Sequence, residues 1–146
     1  MSNARYVPFA TTAKVRDHCI CLHVQRAARV LARRFDDALR PLNLTNGQFS
    51  LMMFLNRPEP ASIGSVAHLL AMDRTTLTAA VKPLARRRLV KVAAGAEDRR
   101  SRLLTLSVSG SSLLASAVPI WERVHVRVEK RLAGGDGLRN KLRALS

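Results

Sequence analysis

The stretch MDRTTLTAAVKPLARRRLV, residues 72–90, decides the predicted fold. Asp73 stands before a run of small and hydroxylated residues. There its carboxylate can accept a hydrogen bond from the amide of Thr75 or Thr76 and so cap a helix. Pro83 lacks a backbone donor and clashes with the preceding turn, so we expect a bend late in this helix. The stretch therefore predicts a capped helix with polar side chains in its first turns and three arginines at its end.

A second short helix precedes this one. Ser62 can cap a helix from Ile63 to Ala71, and Met72 leaves room only for a tight turn before the next cap. Two short helices joined by such a turn form a helix-turn-helix, whose second helix lies in a DNA major groove about 12 Å wide. The pattern therefore predicts that the second helix reads DNA.

The part of the chain before this motif predicts two further helices. Apolar residues recur every three or four positions from Val15 to Arg40, which is the period of one helix face. Thr45 can cap the next helix, and Pro58 prevents it from continuing. The residues on the first apolar face are Ile20, Val24, Ala27, Leu31, Phe35 and Leu39.

The part after the motif predicts a β-hairpin and two more helices. Two short β-prone runs, 89–93 and 102–108, flank a charged tip that contains a glycine. A long helix begins at Ser107 or Ser109 and extends to Leu132, and a short helix ends the chain. The fold class is therefore mainly α with a small β-hairpin, in the order of four helices, the hairpin and two helices.

The composition favours a nucleic-acid partner. The chain has 146 residues, 47% of them hydrophobic, which suffices for one globular domain. A net charge of +15 points to a polyanion, either nucleic acid or an anionic membrane surface. We see no signal peptide and no run of about 18 apolar residues, so we expect a cytoplasmic protein with no membrane partner.

The first turns of the second helix carry side chains suited to DNA. Arg74, Thr75, Thr76 and Thr78 lie there, and Lys82 follows one turn later. Arginine can donate two hydrogen bonds to guanine, and threonine can bond to bases or phosphates and place its methyl group against that of thymine. For these residues alone, a well-capped surface helix remains the alternative.

The charged hairpin strengthens the prediction of DNA binding. Asp98 is placed to hold the guanidinium of Arg100 extended through a charge-assisted bond, although an aspartate that forms a turn is an equal alternative. Arginines on such a hairpin suit the negative potential of an adjacent minor groove, although a charge run is often only a solvated face. The cations of residues 86–102 are Arg86, Arg87, Arg88, Lys91, Arg99, Arg100 and Arg102.

Three segments together resemble the MarR (multiple antibiotic resistance regulator) family of winged helix-turn-helix regulators. They are LTNGQFSLMMFL (44–55), SIGSVAHLLAMDRTTLTAAVKPLARRRLV (62–90) and EDRRSRLLTLSVSG (97–110). The likeness extends from Cys19 to Leu132. It implies a recognition helix from Arg74 onward, with Arg74, Thr75, Thr76 and Thr78 facing DNA.

The resemblance also implies the organisation of the whole protein. It implies that Arg100 enters the minor groove with Asp98 as its partner. It further implies a single MarR-type domain over the whole chain, in which 44–106 bind DNA while 15–40 and 107–146 hold the dimerisation helices. Double-stranded DNA and a second copy of the chain are the implied partners.

Two positions depart from what the family pattern and a regular helix require. Where the family has glycine after the recognition helix, this chain has Arg88. A left-handed cap there costs an arginine about 1 kcal/mol more than a glycine, so we expect the exit of this helix to be differently shaped. Pro119 lies inside the long last helix, where it predicts a kink and leaves the carbonyl of Ala115 unpaired.

The resemblance implies an effector site without identifying the effector. In the family, small anionic or phenolic molecules bind between the dimerisation helices and the winged part. That region includes Arg26, Arg29, Trp121 and His125 here. Surface charge and packing are the alternative roles of these residues.

Cys19 is a candidate redox sensor. It resembles in position the reactive cysteine of the hydroperoxide-sensing branch of the family. The tyrosines that accompany that cysteine in the branch are largely missing here, since Tyr6 is the one tyrosine of the chain. An inert buried cysteine is the alternative. Cys19 and His23 also have the spacing of half a metal site, but no matching ligand pair is evident, so we expect no metal and no cofactor.

These observations predict a sequence-specific regulator. We expect a homodimeric repressor that a small-molecule or redox signal releases from a near-palindromic operator. A non-specific architectural nucleic-acid-binding protein is the alternative, since the net charge would suffice for it. An enzyme is not expected, because the sequence offers no nucleophile with a base, no metal-spaced cluster and no glycine-rich phosphate loop.

Overall fold

The computed structural model describes residues 6–146, and its elements follow the predicted order with one helix and one strand added. The helices are α1 (Phe9–His18), α2 (Ile20–Leu39), α3 (Asn46–Leu55), α4 (Ile63–Leu69), α5 (Arg74–Arg86), α6 (Val108–Arg131) and α7 (Asp136–Arg143), with a 3₁₀ turn at Arg40–Leu42. The strands β1 (Ala61–Ser62), β2 (Val90–Ala94) and β3 (Arg102–Leu106) form an antiparallel sheet in the order β1-β3-β2. None of the helices within residues 6–146 has the length and apolar character that crossing a membrane requires.

The prediction of one helix from Val15 to Arg40 is wrong at its start. Cys19 has an extended conformation, with ψ at 107°, and separates α1 from α2. The Nε2 atom of the His23 ring lies 3.0 Å from the carbonyl oxygen of Asp17, so the break gives a carbonyl near the end of α1 a side-chain partner. No glycine or proline marks this break in the sequence.

The predicted helix caps are confirmed. Each cap side chain accepts a hydrogen bond from the amide three residues later, which satisfies a donor that the first turn of a helix leaves free. The amide-to-cap distances are 3.1 Å at Thr45, 3.1 Å at Ser62, 2.8 Å at Asp73 and 2.9 Å at Ser107.

The two helical prolines do not end their helices. Pro83 lies within α5 and Pro119 within α6, and both helices continue beyond them. The carbonyl that each proline leaves without an amide donor belongs to an exposed residue, Ala79 or Ala115, where water can reach it.

One apolar core holds the helix-turn-helix against the rest of the chain. Leu51 and Met52 of α3, Val66 of α4, Leu77 of α5 and Leu104 of β3 are at most 1% exposed. Burial on this scale fixes the axis of α5, since each leucine in such a core contributes about 2 kcal/mol or more. The polar face of α5 is therefore held outward.

The expectation of a differently shaped exit at Arg88 is wrong, because Arg88 keeps the left-handed conformation that glycine has in the family, with φ at +57°. Its amide donates to the carbonyl of Ala85 at 2.9 Å, which closes the end of α5. Its own carbonyl accepts hydrogen bonds from the hydroxyls of Ser107 at 2.7 Å and Ser109 at 3.1 Å. The exit of α5 is thereby joined to the start of α6.

We expect Arg88→Gly to raise the free energy of unfolding by about 0.5 to 1 kcal/mol, because glycine adopts this conformation without a steric penalty. The matched control Arg86→Gly lies within α5 and should lower it by a similar amount. Urea unfolding followed by circular dichroism measures both. Equal destabilisation by the two substitutions would contradict a strained cap at Arg88.

Candidate DNA-binding surface

Asp73 fixes the first turn of α5. Its carboxylate accepts hydrogen bonds from the Thr76 hydroxyl at 2.6 Å and from the Thr76 amide at 2.8 Å. These two bonds, the hydroxyl's being the larger cause, lower the pKa of the Asp73 carboxyl below its ordinary value. The cap therefore stabilises the fold fully above about pH 4, and this contribution is lost as the pH falls through the lowered pKa.

The predicted contact residues of α5 are all exposed but differ in what their side chains already bind. The Thr78 hydroxyl donates to the carbonyl of Arg74 at 2.7 Å, so its proton is committed to the helix. Within residues 6–146, the side chains of Thr75 and Lys82 make no hydrogen bond. The opposite face of α5 is buried through Leu77, Val81 and Leu84.

Asp98 shapes the tip of the hairpin through its backbone partners. Its carboxylate accepts from the amide of Arg100 at 2.9 Å, and its carbonyl accepts from the amide and the hydroxyl of Ser101 at 3.0 and 2.8 Å. The predicted bond from Asp98 to the Arg100 guanidinium is not formed. The alternative, a turn-forming aspartate, is what the structure has, because a side chain this short reaches the nearby amide first.

The hairpin and the two helices of the motif enclose a cleft of about 420 Å³, here called the arginine cleft. It lies beside Gly64, whose missing side chain leaves room for Arg74: a β-carbon there would lie 2.9 Å from Arg74 Nη2. Thr75, Thr76, Lys82 and Arg99 lie outside it. The lining residues are Ser62, Ile63, Gly64, Arg74, Thr78, Asp98, Arg100, Ser101 and Arg102.

The four candidate effector residues do not form one site. Trp121 stacks between Phe49 of α3, at 6.2 Å between ring centroids, and His125, at 4.5 Å. Arg26 instead lines a separate groove of about 330 Å³ between α2, the end of α6 and α7. Arg29 approaches Gln25 at 3.4 Å and lines neither that groove nor the Trp121 stack.

Both cysteines are free thiols. Cys19 is half-buried at the junction of α1 and α2, and Cys21 is exposed. Within residues 6–146, no three His, Cys, Asp or Glu side chains are grouped so as to hold a metal ion. The Cys19 and His23 pair is therefore not completed by further ligands in the described chain.

Sequence reasoning missed one contact at the end of α5. The guanidinium of Arg87 donates to the carbonyl oxygens of Asn43 at 2.6 Å and Leu42 at 3.3 Å. The sequence shows only a run of three arginines, and no residue type marks either backbone carbonyl as a partner of Arg87. A contact of this kind depends on the packed positions of distant segments.

The comparisons with known proteins agree with this geometry. No protein-family profile matches the chain. The M. tuberculosis transcriptional regulator MosR, in complex with DNA, is 34% identical, with a TM-score of 0.81 over 88% of this chain and 93% of MosR. The chain belongs to the MarR family of transcriptional regulators. This confirms the predicted winged helix-turn-helix fold and the prediction that the protein is a regulator and not an enzyme.

Two further relatives of this MarR-family protein are informative. The organic hydroperoxide resistance transcriptional regulator of Bacillus subtilis is 27% identical over 101 residues, which is 69% of each chain. A mutant MarR of E. coli in complex with operator DNA has a TM-score of 0.80 over 90% of this chain and 96% of that chain, at 16% identity. At that identity the likeness concerns the fold.

Proposed function

We propose that this MarR-family protein is a homodimeric, sequence-specific repressor that a small-molecule or redox signal releases from a near-palindromic operator. The observation that carries the proposal is the arginine cleft, where Arg74 of α5 lines one opening with Arg100 and Arg102 of the wing, which is the hairpin of β2 and β3 (residues 90–106). The net charge of +15 and the DNA complex of the 34% identical MosR support it. Because a repressor acts on the chromosome, we propose a cytoplasmic location.

The surface divides into base-reading and backbone-binding parts. Thr75, with its free hydroxyl, and Thr76, with its methyl group, are the proposed contacts to base edges in the major groove. Arg74 lies against Gly64 beside the wing, which favours a phosphate over a guanine. Arg100 enters the minor groove, its direction set by the turn at Asp98. Further phosphate contacts come from Lys82, Arg99 and Arg102. The Thr78 hydroxyl proton is committed to Arg74, so Thr78 meets DNA through its methyl group.

The helices at the two ends of the chain carry the proposed dimer interface. Within the described chain, apolar side chains on and next to these helices remain exposed, at 66% for Ile20 of α2 and 67% for Leu145 just beyond α7. Two-fold pairing through segments 15–40 and 107–146 covers this surface and sets the two 44–106 segments about 34 to 36 Å apart, one turn of DNA. The other large apolar residues exposed in these two segments are Val15, Leu22, Val24, Val108, Val126, Leu132, Leu138 and Leu142.

Selection from a pool of random duplexes tests the proposed function. We expect repeated rounds of binding to enrich a near-palindrome whose half-sites lie one helical turn apart, because the dimer presents two identical reading surfaces. Enrichment of no sequence, together with retained binding to every duplex, would support the architectural alternative.

The small-molecule signal has a direct test. A ligand that binds only the folded dimer must raise its melting temperature. We expect a thermal-shift screen of aromatic carboxylates to find such a ligand, and the His125 ring, which stacks on Trp121, is the side chain suited to an aromatic ring. An inducer has to prefer the dimer conformation that fits DNA poorly.

For the redox signal we propose Cys19, and the hydroperoxide regulator among the relatives supports this choice. The thiolate attacks the peroxide oxygen and becomes a sulfenic acid while the alcohol leaves. Cys19→Ser should retain operator binding after treatment with an organic hydroperoxide that abolishes binding by the parent, as measured by fluorescence anisotropy. Cys21→Ser is the matched control and should respond like the parent. If only Cys21→Ser retained operator binding after the hydroperoxide treatment, Cys21 and not Cys19 would be the sensing thiol.

A further inference from the structure

The Arg87 guanidinium joins two segments that are 44 residues apart in sequence. Arg87 directly follows the last residue of the recognition helix α5. Its Nη1 donates to the carbonyl of Asn43 at 2.6 Å and its Nη2 to the carbonyl of Leu42 at 3.3 Å. Both carbonyls belong to the turn that follows the dimerisation helix α2, so one side chain spans the ends of the two helices.

The turn that receives Arg87 is itself well anchored. Its last residue, Asn43, donates its amide to the carbonyl of Arg40 at 2.9 Å. The carboxylate of Asp36 on α2 accepts from the amide of Asn46 at 2.6 Å, which ties the start of α3 to α2. Carbonyls at the end of a helical segment also carry a partial negative charge that favours a cation. Arg87 therefore forms hydrogen bonds to a fixed part of the dimerisation region.

The geometry of the contact matters more than its energy. Arg87 is exposed, so its hydrogen bonds compete with water and contribute little to the stability of the fold. A planar guanidinium that meets two carbonyls nevertheless sets a direction, which a lysine ammonium cannot do. Within residues 6–146, the side chains of the adjacent Arg86 and Arg88 make no hydrogen bond.

We infer that Arg87 is a positioning residue for operator recognition. It holds the end of α5 against the end of α2 and so sets the separation and orientation of the two recognition helices in the dimer. This inference rests on the proposed homodimeric repressor. Arg87 thereby acts through the structure of the protein and not through a contact with DNA.

Half-site spacing is the property that this role controls. The measurement is affinity for the selected operator and for the same operator with one base pair inserted between its half-sites. We expect the parent's preference for the uninserted operator to fall about tenfold in Arg87→Ala, because the recognition helices are less strictly spaced. Arg87→Lys should be intermediate, and Arg86→Ala, which removes the same charge, should keep the parent's preference.

A DNA-free measurement separates this inference from the proposed function. Spin labels at Arg33→Cys on α2 and Lys82→Cys on α5, in a Cys19→Ser, Cys21→Ser background, report the distance between the two helices. The labelled chain is diluted into unlabelled protein so that the distance lies within one chain. We expect the distance distribution to broaden in Arg87→Ala and to stay narrow in Arg86→Ala.

Two results would overturn the inference. One is an unchanged distance distribution in a folded Arg87→Ala variant. The other is an unchanged preference for the uninserted operator, together with a plot of the logarithm of the binding constant against the logarithm of the salt concentration whose slope is less steep by about 1.8. That change is expected when a dimer loses two phosphate contacts. If the parent selects no operator, the proposed function fails, and the label distances still decide whether Arg87 orients α5.

Discussion

The Arg100→Ala dimer is expected to bind its operator about 100-fold more weakly than the parent. Each wing loses one arginine, and a DNA contact of this kind contributes about 1 to 3 kcal/mol, so a loss of about 1.4 kcal/mol at each of two wings gives about a hundredfold. Arg100 lines the arginine cleft, and its amide is fixed by Asp98 at 2.9 Å, so its position does not depend on its own side chain. Fluorescence anisotropy titrations at several salt concentrations measure the effect.

Arg123→Ala is the matched control for this prediction. Arg123 lies on α6 among residues outside the arginine cleft, and its removal changes the net charge equally. It should leave affinity nearly unchanged, because a distant exposed charge contributes only through the screened overall field. Equal losses in the two variants would mean that net charge, and not the cleft, provides the binding.

Gly110→Ala is expected to lower the free energy of unfolding by about 3 kcal/mol, the upper part of the range for overpacking. A β-carbon at this buried position would lie 2.1 Å from the carbonyl oxygen of Leu89. That carbonyl cannot move freely, since it accepts the amide of Ser107 at 3.0 Å. The start of α6 and Leu89, which directly precedes β2, would have to separate. Urea unfolding of the variant measures the loss.

Gly137→Ala provides the control for a general effect of added methyl groups. Gly137 lies in α7 and has no atom within 4 Å of an added β-carbon. Alanine there should stabilise the protein slightly, because it is the better helix former by up to about 1 kcal/mol. A Gly110→Ala variant as stable as the parent would show that Leu89 and the start of α6 are not tightly packed.

Local signals in the sequence predicted the parts of the fold that local chemistry controls. The caps at Thr45, Ser62 and Asp73 were predictable because a side-chain acceptor and its amide lie three residues apart. The left-handed Arg88 was not predicted, because the steric cost to an arginine favoured another exit, and the bonds from Ser107 and Ser109 to its carbonyl join distant segments. The long apolar periodicity predicted α2, although not the break at Cys19, since no residue type there disfavours a helix.

Contacts between distant segments were not predictable in the same way. The strand β1 is only two residues long and pairs with Leu103 and Leu104 about 40 residues later. Two roles were predicted for Asp98, and the sequence could not choose the turn-forming one, because the backbone path of the turn decides which donor is nearest. Arg87 was missed because its partners are backbone carbonyls, which every residue possesses.

Competition between the selected operator and a random duplex of equal length distinguishes a sequence-specific repressor from a non-specific nucleic-acid-binding protein. At physiological salt, we expect the parent to bind the operator at least about 1,000-fold more tightly, as specific regulators do. A ratio near one, with tight binding to both duplexes, would contradict sequence-specific repression and leave a non-specific nucleic-acid-binding protein.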